Sequence, residues 1–277
     1  MSDPWNDLLS CLELHPKSGD DEPDPLTFEG ANQKLPHRRL FGGQLLAQFA
    51  RVATATHPAK TIKSLHASFL REGTADTPVR YRADPLHDGR SFGALAVTAT
   101  QHDRPIATCA ISLHATEAGP DHQPVRLDAT PPGPDREVRF PLLPWETRSV
   151  TDLDTHDDGQ SAYDLWMRIP ATADELAPAL LAYASDLTVI GTALRAFDGV
   201  DQHSNGTAFT SATTSHTIWF HRPVRTGDWL LSRHHSVIVA HGRCFGRGDI
   251  FTTHGALVAS FAQEALLRFR PGTIRTA

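Results

Sequence analysis

Gly89-Arg90-Ser91-Phe92-Gly93 and Gly242-Arg243-Cys244-Phe245-Gly246 open two stretches of the chain that read alike. The first runs on through Ala94-Leu95-Ala96-Val97-Thr98-Ala99-Thr100 and a charged turn to Ile106-Ala107-Thr108-Cys109-Ala110-Ile111-Ser112-Leu113. The second runs through a similar stretch and a Thr253-His254-Gly255 turn to Val258-Ala259-Ser260-Phe261-Ala262-Gln263-Glu264-Ala265. Upstream, His66-Ala67-Ser68-Phe69-Leu70-Arg71 answers His216-Thr217-Ile218-Trp219-Phe220, with Arg222 just beyond. Three matched blocks in one order mark an internal duplication. A duplicated domain keeps its core and changes its chemistry in one copy, so mismatches at core positions point to candidate functional residues.

Working outward, each block sits in a chain of strands. Residues 61 to 71, 78 to 86, 91 to 101 and 105 to 115 alternate as strands and are broken by Gly, Pro and Asp. Before them, Leu45, Leu46, Phe49, Val52 and Ala53 follow Phe41-Gly42-Gly43-Gln44 at helical spacing. In the second half, strands near 145 to 151 and 161 to 169 lead to a helix expected from about Leu176 to Phe197, with Pro178 in its first turn. Thr172 and Glu175 have capping-box spacing. Four more strands follow at about 207 to 221, 228 to 239, 244 to 253 and 256 to 269. One helix plus a sheet long enough to curl around it is the hot-dog fold. The expected class is therefore α+β, a double hot-dog with two tandem antiparallel sheets each wrapped around a central helix. Glu117 to Pro134 is rich in Pro, Asp and Gly and lacks apolar periodicity. The expected division is an N-terminal domain over 1–118, a linker over 119–136 and a C-terminal domain over 137–277. Residues 4 to 14 suit a short amphipathic helix before a polar loop around Lys17 to Pro25.

The bulk composition is that of an ordinary globular chain. It has 277 residues, 40% hydrophobic and 21% charged, with a net charge of −6. That charge, and the lack of a basic block, argue against a nucleic-acid partner or an anionic membrane surface. No fully apolar run of about 18 residues suggests membrane insertion. No basic stretch followed by an apolar one suggests a signal peptide, and the C-terminal residues carry no peroxisomal address. Three cysteines in mostly apolar surroundings fit a reducing compartment. The expectation is a soluble, cytoplasmic protein.

Three polar residues occupy positions where a core is expected. Asp186 is the only charged residue between Leu176 and Leu194. A helix apolar nearly all round is a buried one, and an unpartnered buried carboxylate costs several kcal/mol or more. On the last strand, Ala259, Phe261, Gln263, Ala265, Leu267 and Phe269 share a face that is apolar except for Gln263, where the first copy has Ile111. A buried amide needs hydrogen-bond partners, so a polar cluster is expected around it. Strict alternation puts Thr213, Ser215, Thr217 and Trp219 on one face, matching Lys63, Leu65, Ala67 and Phe69. Ser215 against Leu65 again makes the second copy the more polar one. Together, Asp186, Thr213 and Gln263 have the chemistry to hold and activate one water molecule.

At these residues the chain resembles the acyl-CoA thioesterase II family. The resemblance runs from Phe41-Gly42-Gly43-Gln44 through Ser64 to Arg71, Asp88 to Phe92, Tyr183-Ala184-Ser185-Asp186-Leu187 and Trp219 to Pro223, and ends at Val258 to Glu264. It implies hydrolysis of fatty acyl-CoA, with Asp186, Thr213 and Gln263 as catalytic residues and neither metal nor cofactor. It also implies an oxyanion met by a backbone N–H at a helix N-terminus. The Gly42-Gly43-Gln44 start of the first helix, where Gly43 and Gln44 are substrate-binding candidates, offers such donors, as does the start of the second helix. The chain departs from the family at Ser215, where an aspartate is common, and at Ala265, where a glycine follows the Gln-Glu pair. Outward strand faces in such folds often associate, which keeps a homo-oligomer open.

Rival readings have specific supports. Gly89-Arg90-Ser91-Phe92-Gly93 spells a nucleophile elbow, which would make Ser91 an esterase serine, but that motif requires a helix after it. The 16 histidines show no metal-ligand spacing. His66 and His216 occupy matching places, which suits a structural role, with His66 a distant candidate base. A hot-dog dehydratase would need a histidine near Asp186, and a non-catalytic acyl-CoA-binding or lipid-binding module finds support in Ser215.

Overall fold

The computed structural model describes residues 3–18, 23–35, 38–124, 127, 129–157 and 162–274. Parts of the expected N-terminal polar loop, Val125, Arg126 and Asp128 of the expected linker, and the last three residues lie outside them. Two compact units divide the chain. One comprises Met1–His122, Thr172–Ala184 and Thr217–Phe220; the other comprises Gln123–Ala171, Ser185–His216 and His221–Ala277.

The first unit holds α1 (Pro4–Leu12), β1 (Leu14–Ser18), β2 (Pro23–Gly30), α2 (Gly42–Thr56), β3 (Thr61–Phe69), β4 (Val79–Asp88), β5 (Phe92–Gln101) and β6 (Arg104–His114). Its strands lie in the order β1-β2-β4-β5-β6-β3, every pair antiparallel. α2 buries Leu45, Leu46, Phe49, Val52 and Ala53, and Phe49 meets Tyr81 of β4 edge to face. The β1–β2 pair replaces part of the expected polar loop. Pro16 and Pro23 argue against strand in sequence, yet Pro16 lies on the edge strand β1 and Pro23 is the first residue of β2, both places where a residue without an N–H is tolerated.

The C-terminal half continues with β7 (Glu137–Val138), β8 (Glu146–Arg148), β9 (Ala162–Arg168), α3 (Ala177–Ser185), α4 (Val189–Leu194), β10 (Phe209–Phe220), β11 (Trp229–Ala240), β12 (Arg243–Thr252) and β13 (Leu257–Phe269). The strand order is β10-β13-β12-β11-β9-β8-β7. Read from the last hairpin, β13-β12-β11-β9 repeats the β6-β5-β4-β2 order of the first unit, and α4 lies against β11, β12 and β13. The duplication read in the sequence is thus a duplication of sheet topology. The segment before β7 is irregular. Gln123 ties it down by donating to the Gly255 carbonyl and accepting from the Leu257 N–H and from Arg222.

The expected helix over Leu176 to Phe197 is broken. Pro178 lies in the first turn of α3 as expected, but the 3-10 turn Asp174–Leu176 before it has Ala173, not Thr172, at its N-cap. α3 stops at Ser185, Asp186 to Thr188 form a turn, and α4 starts at Val189. Hydropathy carries straight through this break. Asp174–Leu194 is long and apolar enough to cross a membrane by length and composition, yet its most apolar stretch is mostly buried inside the protein. The polar side chains at the break, not a loss of apolar character, end the helix.

Candidate active site

Asp186 sits at that break and is 6% exposed. Thr213, on β10, donates its hydroxyl hydrogen to Asp186 Oδ1 at 2.9 Å. Gln263, on β13 and 1% exposed, donates from Nε2 to Thr213 Oγ1 at 3.2 Å. The three candidate catalytic residues therefore form one hydrogen-bonded row, drawn from a turn and two neighbouring strands. The inward face of β13 matches the reading of its alternation, with Ala259, Phe261, Ala265 and Leu267 buried beside Gln263.

The row continues beyond what the sequence suggested. His216 Nδ1 lies 2.7 Å from Gln263 Oε1, and Ser185 Oγ lies 2.9 Å from His216 Nε2. His216 is fully buried, and burial pushes its imidazole down to about 4, with the bond to Gln263 pulling the other way. Its ring stacks on Phe261 at 5.9 Å and 14°. On the other side of Phe261, His234 meets the ring edge-on at 5.2 Å and bonds Thr188 Oγ1 through Nε2 at 2.6 Å. His234 is likewise held down to about 4 by burial. Two neutral buried histidines thus fasten both sides of the Asp186 turn to the sheet.

The Phe261 ring can lie over the neighbouring strand because Gly248 makes room for it. A Cβ at Gly248 would come within 2.3 Å of the Phe261 ring and 2.7 Å of the Arg233 carbonyl oxygen. Overpacking against backbone costs about 1–3 kcal/mol, so Gly248→Ala is expected to lower stability by that amount in urea unfolding. An unchanged midpoint would contradict this packing.

His216 corrects two sequence expectations. Strict alternation puts Thr213 and His216 on opposite faces of β10, yet both reach the Gln263 side chain, so the strand changes phase between them and leaves Ser215 exposed. His66 and His216 accordingly do not occupy matching places. His66 is exposed on β3, bonded to Ser64 and Thr217, whereas His216 faces Gln263 as Leu65 faces Ile111. The stretch Thr213-Thr214-Ser215-His216 has no apolar alternation, and that lack was the available sign that its phase was not readable.

Gly43 and Gln44 belong to the first unit, at the start of α2. Gln44 is buried and engaged: it donates to Asn32 and Gln48, accepts from the Gln33 N–H, and its own N–H goes to the Phe41 carbonyl. Gly43 is close-packed, since a Cβ there would come within 2.4 Å of the Phe41 ring and of the Tyr183 carbonyl oxygen. Ser91 lies in the turn ahead of β5, so strand and not helix follows it, and the elbow geometry is missing. Among the described residues no group of three or more His, Cys, Asp or Glu is placed to hold a metal. All three cysteines are free and buried, and burial raises each thiol, Cys109 to about 12 and Cys244 to about 11.

A buried carboxylate and a buried amide joined by a half-buried hydroxyl are groups that can position a water and take its proton. Comparison with known proteins gives the family. A family model for the acyl-CoA thioesterase N-terminal domain matches residues 33–115, and one for the acyl-CoA thioesterase C-terminal domain matches residues 117–267. The chain is 31% identical to acyl-CoA thioesterase 2 of Haemophilus influenzae over 97% of its own length and 99% of that protein. The acyl-CoA thioesterase II TesB2 of Mycobacterium marinum superposes with a TM-score of 0.76 at 29% identity, over 96% of this chain and 98% of that one. A hot-dog protein of Alicyclobacillus acidocaldarius shares the fold at a TM-score of 0.74 and 18% identity, over 95% and 98% of the two chains. The chain belongs to the acyl-CoA thioesterase family and has its double hot-dog fold.

Proposed function

We propose that the protein hydrolyses fatty acyl-CoA to free acid and coenzyme A by direct attack of a water molecule that Asp186, Thr213 and Gln263 hold and activate. The observation that carries this is the Asp186–Thr213–Gln263 row, in which the buried carboxylate and amide are joined through the Thr213 hydroxyl by two hydrogen bonds. The Thr213 hydrogen is given to Asp186, so the carboxylate is oriented rather than free to rotate. Gln263 has a second amide N–H besides the one donated to Thr213, and this holds a lone pair of the water. As the water oxygen bonds to the thioester carbonyl carbon, its proton passes to Asp186. The tetrahedral oxyanion then collapses, the C–S bond breaks, and the coenzyme A thiolate leaves and takes up a proton. The oxyanion is met by a backbone N–H at a helix N-terminus.

The test is thiol release from acyl-CoAs of graded chain length by the wild type and by Gln263→Ala. The wild type is expected to turn over at least one chain-length class, with Gln263→Ala slower by about 100-fold, the scale on which one positioned donor acts. Binding of acyl-CoA without thiol release would make the protein a carrier. A Gln263→Ala variant as fast as wild type would remove Gln263 from the mechanism.

A further inference from the structure

We infer that His216 is a positioning residue for the hydrolysis, acting through Gln263 as the neutral Nδ1–H tautomer, whose bare Nε2 faces the Ser185 hydroxyl. This rests on the proposed roles of Asp186, Thr213 and Gln263. Thr213 has a single hydrogen and gives it to Asp186, so it can only accept from Gln263. The Gln263 contact to Thr213 is therefore made by its NH2 group, which turns Oε1 toward His216. An amide oxygen only accepts, so His216 Nδ1 must carry the proton, which leaves Nε2 as an acceptor for the Ser185 hydroxyl. Every hydrogen in the row Ser185–His216–Gln263–Thr213–Asp186 thus points toward Asp186.

An amide side chain alone does not have this directionality, because its oxygen and nitrogen ends are nearly the same shape. Rotated by half a turn, Gln263 would offer its oxygen to Thr213, attract the hydroxyl hydrogen away from Asp186, and withdraw the N–H donors from the water. His216 forbids that turn, since its Nδ1–H would then face the amide N–H groups. The imidazole is itself fixed in plane by Phe261, whose ring occupies the space left by Gly248. Burial disfavours the charged ring and so keeps the neutral form the row needs. Ser185 adjoins Asp186, so the two ends of the row meet at one turn of the chain.

Two measurements test this in the full-length protein. The first compares thiol release by His216→Leu, His216→Asn, Gln263→Ala and the His216→Leu/Gln263→Ala double variant, each checked for folding by thermal unfolding. His216→Leu is expected to lower kcat about 10-fold with KM unchanged, in the range typical of a residue that orients a functional group from behind. His216→Asn, which can still donate to Gln263, is expected to recover most of that loss. In the Gln263→Ala background, His216→Leu is expected to cost nothing further. The second measurement is nitrogen NMR of the histidine-labelled wild-type protein at pH 7, with His216 identified by its absence in His216→Asn. A protonated Nδ1 and bare Nε2 are expected.

Additive losses for the double variant, a His216→Leu enzyme as fast as wild type, or an Nε2–H tautomer would each overturn the inference. If His216→Leu does not fold, the tautomer and the His216→Asn activity still decide it. Failure of the underlying site would look different. There Gln263→Ala itself would retain full turnover, whatever His216 does.

Discussion

Replacing Asp186 by Asn is expected to lower kcat for thiol release at least about 100-fold, the usual loss when a general base is removed. Asn is the same size and can still accept the Thr213 hydrogen at the Oδ1 position, so the row is preserved while the proton acceptor is lost. KM is expected to change little, because the substitution removes an interaction needed only in the transition state. Stability is expected to hold or rise, since an amide at a site 6% exposed avoids burying a charge. The check is a steady-state series with both proteins, beside urea unfolding of each. An Asn variant with near wild-type kcat would contradict the mechanism. One that is slow only because it is unfolded would be exposed by the unfolding curve.

The second large expected effect is on stability against acid. His216 and His234 are both fully buried and titrate near 4 in the folded protein, against 6.5 in an unfolded chain. Between those values the unfolded chain binds more protons, so the stability these residues contribute is complete above pH 6.5 and is lost as the pH falls toward 4. From pH 7.5 to pH 5.0 each ring removes about 2 kcal/mol, or about 4 kcal/mol together. For a domain-sized fold that is a large share of the total. Urea unfolding at pH 7.5, 6.0 and 5.0 reads this directly, and His234→Asn is expected to remove about half of the pH slope. A free energy of unfolding that stays flat over this range would show that the two rings are not buried as neutral groups.

Much of this molecule was legible in its sequence because duplication gave every position a control. Ile111 against Gln263 located the amide, and a lone carboxylate in an apolar run located Asp186, with no structural input. What stayed hidden depends on contacts distant in sequence. The helix break at Asp186 is fixed by Ser185 bonding His216, 31 residues away, and Thr188 bonding His234, 46 residues away. Local hydropathy reports neither. The phase change in β10 hid His216 for a similar reason: hydrophobic alternation encodes strand phase, and Thr213-Thr214-Ser215-His216 has none. The β1–β2 pair was missed because Pro16 is tolerated on an edge strand and Pro23 at the first residue of a strand, and both places are properties of the sheet.

Hydrolysis by this route requires a water standing between Asp186 and the thioester carbonyl. Its most direct test is a crystal structure with an acyl-CoA analogue in which a methylene group replaces the thioester sulfur. The account predicts an ordered water within about 3 Å of the Asp186 carboxylate, bonded to Gln263 and aligned on the carbonyl carbon. A carbonyl bound away from Asp186, or one pressed directly against the carboxylate with no water between them, would contradict it.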